Sequence, residues 1–195
     1  KWSVKMKTIN SILFIFICII SNHSCIEHRD SLEEIKAYKP DDEYFKASLV
    51  NLHFIIETSP INKVDTVFKQ LISSHDLPVS ANGCQNGVYI GESPYDAYDY
   101  RHWVKIEIKD ERIISIDYNE IHKSGTGKQE DESYCKKMSV TGTTPAIAYP
   151  NLENQLLEKQ NMMSVDAVSG ATYSLYRLRY AVTLALMQAR IAKQL

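Results

Sequence analysis

The chain has 195 residues, of which 44% are hydrophobic and 24% are charged, so it is long enough to bury an ordinary core and is neither disordered nor fibrous. Its 22 basic and 24 acidic residues give a formal net charge of −2, which supplies no basic surface for gripping a phosphate backbone. The composition therefore excludes low-complexity chains and argues against a nucleic-acid partner.

The first segment of the chain is typical of an export signal. Lys5 and Lys7 precede an unbroken apolar run over 12–20, which has the length of a secretory h-region and is too short to span a bilayer. A serine and Cys25 follow this run and resemble the processing site of bacterial lipoproteins, in which the cysteine is lipidated. We therefore expect a lipoprotein-type signal peptide over 1–24 and an exported protein, anchored at Cys25 on the periplasmic or cell-surface side. Ordinary secretion is the alternative.

The cysteines and histidines show no metal-binding pattern. The chain has four cysteines but no C-x-x-C, which disfavours structural zinc and c-type haem and leaves no metal ligands to propose. Outside the leader and Cys25, two cysteines remain, Cys84 and Cys135, and they are either a disulfide or two separate thiols. The histidines are scattered, and each is expected at the surface rather than as a ligand or base: His23, His28, His53, His75, His102 and His122.

The region after the leader is predicted to contain a tether and then two helices. Residues 25–39 are polar and charged, which is typical of a tether. Residues 42–58 and a second segment after Ser59-Pro60 carry apolar side chains at helical spacing, so 40–80 is predicted to be a helical N-terminal region. A docking surface and a structural cap are both open as its role. The Pro-, Asn- and Gly-containing stretch 78–87 is the predicted boundary.

An antiparallel hairpin is predicted next. Apolar and polar residues alternate along two segments, whose apolar members are Val104, Ile106 and Ile108, then Ile114, Ile116 and Tyr118. The intervening turn, 109–112, lacks the glycine that such turns favour. Residues 134–138 and 150–159 are predicted to be helical, with Pro145 and Pro150 breaking what would otherwise be one segment.

The last segment gives the clearest helical pattern. One face carries the apolar residues Leu175, Leu178, Val182, Ala185, Leu186 and Ala189. The basic residues are expected away from this face: Arg177, Arg179, Arg190 and Lys193. The chain is thus predicted to have an α+β fold, with a small antiparallel sheet, packed helices and a long C-terminal helix, preceded by the short helical region.

The stretch 166–174, just before this helix, combines small residues, hydroxyls and a helix start. Unpaired backbone N–H groups and the positive end of the helix dipole at such a corner favour a phosphate. Gly170 and Ala171 keep the approach open, and the hydroxyl of Thr172 would lie beside the phosphate. The alternative is purely structural, with Ser169 or Thr172 acting as a helix N-cap.

The pattern D-x-x-S-G-A-T in this stretch resembles the flavinylation motif of the FMN-binding domain family; its residues are Asp166, Ser169, Gly170, Ala171 and Thr172. That family includes subunits of sodium-pumping NADH:quinone reductases and Rnf-type complexes. The resemblance implies that Thr172 carries FMN through a phosphoester, installed by a separate flavin transferase with FAD as donor. It spans the region from residue 86 to about residue 192, so 86–195 is interpreted as an FMN-binding domain.

The same resemblance implies further site residues and a role. Ser174 joins the cofactor site, and Thr144-Pro145 resembles a Thr-Pro that lies near the flavin in the family. The implied role is an extracytoplasmic electron carrier between a membrane donor and a further acceptor, and the sequence shows no catalytic acid or base. A flavin-dependent reductase of a small molecule and a non-redox binding lipoprotein are the other open functions.

Overall fold

A computed structural model describes residues 43–194, so the predicted signal peptide, Cys25 and the tether lie outside the described residues. The elements, in chain order, are α1 (Glu43–Thr58), α2 (Ile61–His75), β1 (Gly87–Glu92), β2 (Tyr100–Lys109), β3 (Arg112–His122), α3 (Glu132–Met138), α4 (Pro145–Lys159) and α5 (Thr172–Gln194), with short 3₁₀ turns at Ser139–Thr141 and Met162–Ser164. This is the α+β fold that the sequence predicts, with the two N-terminal helices and the long C-terminal helix in the expected places.

The sheet is antiparallel and has the strand order β1-β2-β3. Along β2 the burial alternates as predicted, because Val104, Ile106 and Ile108 are buried while Lys105 and Glu107 are exposed. α5 covers the inner face of β1 and β2, α4 packs on β3, and α1 and α2 pack on each other and on α5. The first two helices therefore share one hydrophobic core with the sheet.

The β2–β3 turn forms without glycine. Its two central residues, Asp110 and Glu111, have φ values of 50° and 58°, which is the backbone of a type I′ turn. The loop before β1 contacts this strained turn at two points. The Asn86 side-chain oxygen accepts from the Asp110 N–H at 2.9 Å, and the Glu111 carboxylate accepts from the Gly83 N–H at 3.1 Å. These contacts stabilise a turn that the local sequence disfavours.

The C-terminal helix is buried on more than its predicted face. All six predicted apolar positions are buried, but so is Arg179, whose guanidinium donates to the carbonyl oxygens of Met162 and Val165 at 3.1 and 3.0 Å. Arg177 is also largely buried, so the buried surface of α5 extends beyond the predicted apolar face and includes both arginines. The reason is that α5 crosses the centre of the molecule and has neighbours on several sides. No helix in the described part of the chain is long and apolar enough to cross a membrane.

Pro150 does not break a helical segment, contrary to the sequence prediction. α4 runs unbroken from Pro145, which occupies the first turn as prolines often do, to Lys159. Pro150 lies inside it on an exposed side, where its missing N–H removes one helical hydrogen bond. The helix persists because its other face is anchored in the core by Tyr149, Leu152 and Leu156.

Gly91 allows α5 to approach the sheet closely. A Cβ atom at this position would lie 1.9 Å from the carbonyl oxygen of Ala181, a backbone atom that cannot rotate away. We therefore expect Gly91→Ala to lower the free energy of unfolding by about 3 kcal/mol, the upper end for overpacked sites, in urea denaturation. Ser115→Ala, on an exposed strand position, should change it by less than about 0.5 kcal/mol. Equal losses of unfolding free energy in Gly91→Ala and Ser115→Ala would contradict the close packing of α5 on Gly91.

Candidate functional site

A cavity of about 240 Å³ opens where the first turns of α4 and α5 meet the end of α3. Six of the eight residues predicted for the cofactor site line it: Thr144, Pro145, Gly170, Ala171, Thr172 and Ser174. The two segments that carry them are more than twenty residues apart in the chain. The cavity is thus the place where the motif before α5 and the Thr-Pro before α4 come together.

Asp166 and Ser169, the other two predicted residues, do not line the cavity. The Asp166 carboxylate is exposed and accepts from the Lys159 ammonium at 2.6 Å, and its backbone N–H donates to the Gln155 side chain at 2.8 Å. Asp166 therefore ties the segment before α5 to the side of α4. Lys159 holds the pKa of this carboxyl below its ordinary value, so it is charged at neutral pH.

Gly170 brings this segment against the threonines that precede α4. Its φ is +79°, and a Cβ atom there would lie 2.9 Å from Cγ2 of Thr143 and 3.0 Å from Oγ1 of Thr141. The Ala171 N–H then closes a turn onto the Val168 carbonyl at 2.9 Å, one residue before α5 begins. Both the backbone conformation and the close approach require glycine at this position.

The cavity contains a buried hydroxyl without a partner. Thr143 is 4% exposed, and its Oγ1 has no hydrogen-bond partner in the structure. A buried, unsatisfied polar group costs about 1–3 kcal/mol, so a ligand group that bonds to it is favoured there. Thr172 lies half-buried in the same cavity, at the first turn of α5, where backbone N–H groups have no acceptor within the helix. The arrangement suits an anionic oxygen group.

Arg177 forms part of the cavity wall and links it to α1. Its guanidinium donates to both carboxylate oxygens of Glu57, from Nε at 3.0 Å and from Nη2 at 2.7 Å. Its Nη1 donates to the Glu120 carboxylate at 3.1 Å. Burial alone would lower the pKa of Arg177, but Glu120 and Glu57 outweigh it and raise that pKa above its ordinary value. The guanidinium is therefore a fixed cation, shared between two carboxylates.

Glu120 is the centre of this ionic network. It is fully buried on β3, where the Lys128 ammonium donates to it at 2.5 Å and the Ser174 hydroxyl at 3.3 Å. Burial would raise the pKa of Glu120, but Arg177 and Lys128 outweigh that effect and lower it to about 2. The network thus fixes the first turn of α5, which carries the cavity hydroxyls, to the sheet.

His53 and His102 are buried in the same region, so the prediction that they lie at the surface is wrong for these two. His102 is 0% exposed, and its Nε2 lies 2.9 Å from Oε1 of Glu57. His53 is 8% exposed, and its ring centroid lies 5.3 Å from that of His102. Burial first, and then the neighbouring His102, lower the pKa of His53 to about 3, although Glu57 opposes this. His53 is therefore neutral at pH 7.

We expect this buried neutral ring to make stability depend on pH. Between pH 6.5 and 3 the unfolded chain binds a proton at His53 that the folded chain excludes, so stability falls as pH falls, by about 1.4 kcal/mol per unit. His102, Glu57 and Arg177 face this ring and remain in a His53→Gln variant. Urea unfolding with a metal chelator present gives the free energy of unfolding at each pH. Between pH 7 and pH 5, this free energy should fall by about 2 kcal/mol more in wild type than in His53→Gln. Parallel losses would contradict the assignment.

Several site residues escaped the sequence analysis, although weak signals for them exist. Glu120 continues the inward alternation of Ile116 and Tyr118, so its position indicates burial. Arg177 lies four residues before the buried Ala181 and so falls on an inward side of α5. The hairpin and helix patterns therefore contain a signal for both positions, but charged side chains are so seldom buried that this signal alone does not predict their burial.

The two cysteines of the described region are separate thiols. Cys84 is buried and Cys135 is half-buried, and they do not form a disulfide. Of the two readings left open by the sequence, the structure thus favours the second, and these cysteines add no cross-link to the site.

A curated lipoprotein and a protein of solved structure are among the chains that are similar to this one. The 15 kDa lipoprotein of Treponema pallidum (strain Nichols) is 30% identical over 115 residues, which cover 57% of this chain and 80% of that protein. The crystal structure of the CPE2226 protein from Clostridium perfringens has a TM-score of 0.52 and 31% identity, and the match covers 56% of this chain and 91% of that one. No protein-family model matches the chain.

Proposed function

We propose that this chain, which belongs to the family of the 15 kDa lipoprotein of Treponema pallidum, is an exported and lipid-anchored protein. On the separate ground of its cavity, we propose that it carries covalent FMN in extracytoplasmic electron transfer. The relative is named a lipoprotein, and Cys25 of this chain follows an apolar run of secretory length. Lipidation at Cys25 would hold the domain at the membrane, on the periplasmic or cell-surface side.

The observation that carries the flavin proposal is the composition of the cavity. Six motif residues that the sequence placed in two distant segments line one small cavity. The buried Thr143 hydroxyl in its wall has no partner, and phosphate oxygens are strong hydrogen-bond acceptors for such a donor. Thr172 stands at the first turn of α5, so a phosphate joined to its hydroxyl would lie beside the N–H groups of a helix start.

The size of the cavity fits one end of FMN rather than all of it. Pockets that enclose whole ligands of this size class span about 300–1,000 Å³, and this cavity has about 240 Å³. The residues present would therefore hold the phosphate end. Apolar side chains on the bordering segments are exposed, as expected for a surface that a flat aromatic ring could cover: Val140, Ile147 and Tyr173.

The attachment of the cofactor would exchange one phosphate bond for another. The oxygen of Thr172 is joined to the phosphorus of the FMN half of FAD, the bond between the two phosphates breaks, and AMP and the hydroxyl proton are released. Gly170 is required at this corner, since a Cβ atom there would clash with Thr143 and Thr141. A flavin transferase is the partner that this step requires.

Covalent attachment is physically appropriate for an exported protein. A cofactor held only by non-covalent contacts dissociates when the free ligand falls below its dissociation constant, as it does outside the cell. The bound flavin would supply one- and two-electron chemistry, while the protein positions it and tunes its electronics. We propose a membrane electron donor and a further acceptor as the redox partners.

The proposal is tested by co-expressing the chain with a flavin transferase that uses FAD. We expect a yellow protein that keeps its flavin fluorescence on a denaturing gel and whose flavin is reduced by dithionite and reoxidised in air. A colourless protein, produced beside a flavinylated control substrate, would indicate a non-redox lipoprotein in which Thr172 is structural. Multiple turnovers with a small-molecule acceptor would instead indicate a reductase.

A further inference from the structure

A cluster of potential metal ligands lies behind the cavity wall. His53 and Glu57 are four residues apart on α1, so their side chains share one face of the helix, and His102 reaches them from β2. One ligand atom from each residue lies within 4.8 Å of the others. None of the three lines the cavity, so the cluster is distinct from the proposed flavin site.

Two ring nitrogens of this cluster are buried without a partner. Among the residues that the structure describes, Nε2 of His53 and Nδ1 of His102 have no hydrogen-bond partner, although their residues are only 8% and 0% exposed. Buried polar atoms are nearly always satisfied in folded proteins, and an unsatisfied one calls for an explanation. Neutral imidazole nitrogens are among the commonest ligands of zinc-class metals. A bound cation would give the lone pair of His53 the partner that the protein does not supply.

The spacing of the atoms is close to that of a metal site. In a tetrahedral zinc site, ligands about 2.0–2.2 Å from the ion lie about 3.3–3.6 Å from one another. The three ligand atoms here lie within 4.8 Å of one another, so side-chain rotations that bring them about 1 Å closer would complete this geometry. The backbone of β2 is already fixed at this point, because the His102 N–H donates to the Ser93 hydroxyl at 2.8 Å.

The ion pair with Arg177 is compatible with a metal but limits its affinity. Oε2 of Glu57 accepts from Nη2 at 2.7 Å and can keep this bond while Oε1 turns to an ion, as ligating carboxylates commonly do. The guanidinium and the ion would then repel each other across one carboxylate, with the Glu120 carboxylate on the far side of the guanidinium. We therefore expect one moderate-affinity ion rather than a permanent structural one.

We propose that His53, Glu57 and His102 form a binding site for one divalent transition-metal ion of the zinc class. The three side chains come from α1 and β2, so an ion would clamp the first helix onto the sheet behind Arg177. It would also leave at least one coordination position for water, as in sites with three protein ligands. The site is independent of the flavin proposal.

The test is titration of the purified mature protein with Co²⁺, followed by its visible absorption, and displacement of Co²⁺ by Zn²⁺. We expect saturation at one equivalent in wild type and in His122→Gln, which alters a histidine outside the cluster. In His53→Gln and His102→Gln the affinity should fall at least tenfold, with folding checked by circular dichroism. Unchanged affinity in both folded variants would overturn the proposal, as would the lack of saturable Co²⁺ binding by wild type.

A second measurement does not depend on the variants. Zn²⁺ added to ¹⁵N-labelled wild-type protein should shift the ring-nitrogen signals of two buried histidines and leave that of His122 in place. Shifts confined to surface histidines would overturn the site even if both variants failed to fold. Flavin loading plays no part in either readout, so the metal proposal and the flavin proposal fail separately.

Discussion

Replacing Arg177 by Met should lower the free energy of unfolding by about 3–5 kcal/mol, because it leaves buried carboxylates without their shared cation. Glu120 is 0% exposed and would keep Lys128 as its one cationic partner among the described residues, while Glu57 would lose both hydrogen bonds from the guanidinium. Urea unfolding at pH 7, followed by circular dichroism, measures the loss. The size of the effect comes from desolvated charge rather than from lost packing, since Met fills similar space.

A surface ion pair provides the matched control. Lys159 donates to the exposed Asp166 at 2.6 Å. Because water screens this pair, Lys159→Met should lower the free energy of unfolding by less than about 1 kcal/mol. Adding Glu57→Gln to Arg177→Met should recover part of the loss, since it removes one of the stranded charges. If Arg177→Met were no more harmful than Lys159→Met, the buried network would not be a stabilising centre of this fold.

Replacing Thr172 by Val should abolish covalent flavin completely while leaving the fold nearly intact. Valine keeps the shape of threonine but has no oxygen to carry a phosphoester. The structural cost should be about 1 kcal/mol, because one hydroxyl of a half-buried residue at a helix start is lost. In-gel fluorescence after co-expression with the flavin transferase measures the loading, and urea unfolding measures the stability.

Neighbouring hydroxyls supply the controls for this substitution. Ser169→Ala removes a hydroxyl outside the cavity, and Ser174→Ala removes one that bonds to Glu120 inside it. We expect both variants to carry flavin on Thr172. Flavin that persists in Thr172→Val, or that disappears only in Ser174→Ala, would assign the attachment to another residue. Global unfolding of Thr172→Val would show that the hydroxyl is mainly structural.

The elements that the sequence predicted best are those whose patterns depend only on burial. The alternation along β2 and the apolar face of α5 both follow from one side facing the core, and both are confirmed. The prediction that Pro150 breaks the helix is wrong because the free-energy cost of its missing hydrogen bond is offset by the packing of the rest of α4. That packing is set by residues distant in sequence, such as those of β3, and no local pattern contains it.

The site was predictable only in part, because some of its contacts join residues that are distant in sequence. The residues of the motif before α5 are consecutive, so the sequence located Thr172 and its neighbours at a helix start. The pairing of Arg177 with Glu57 joins residues 120 positions apart, and the burial of Glu120 depends on that pairing and on Lys128. A local sequence pattern does not predict the burial of a charged residue, because such burial is costly unless a distant partner compensates for it.

The most direct test of the central claim is tandem mass spectrometry of the mature protein after trypsin. Cleavage after Lys159 and Arg177 releases the peptide 160–177, which contains every hydroxyl of the stretch 166–174. The account predicts that this peptide carries the mass of FMN less one water, with fragment ions that place it on Thr172. An unmodified peptide from protein matured beside an active flavin transferase would contradict it.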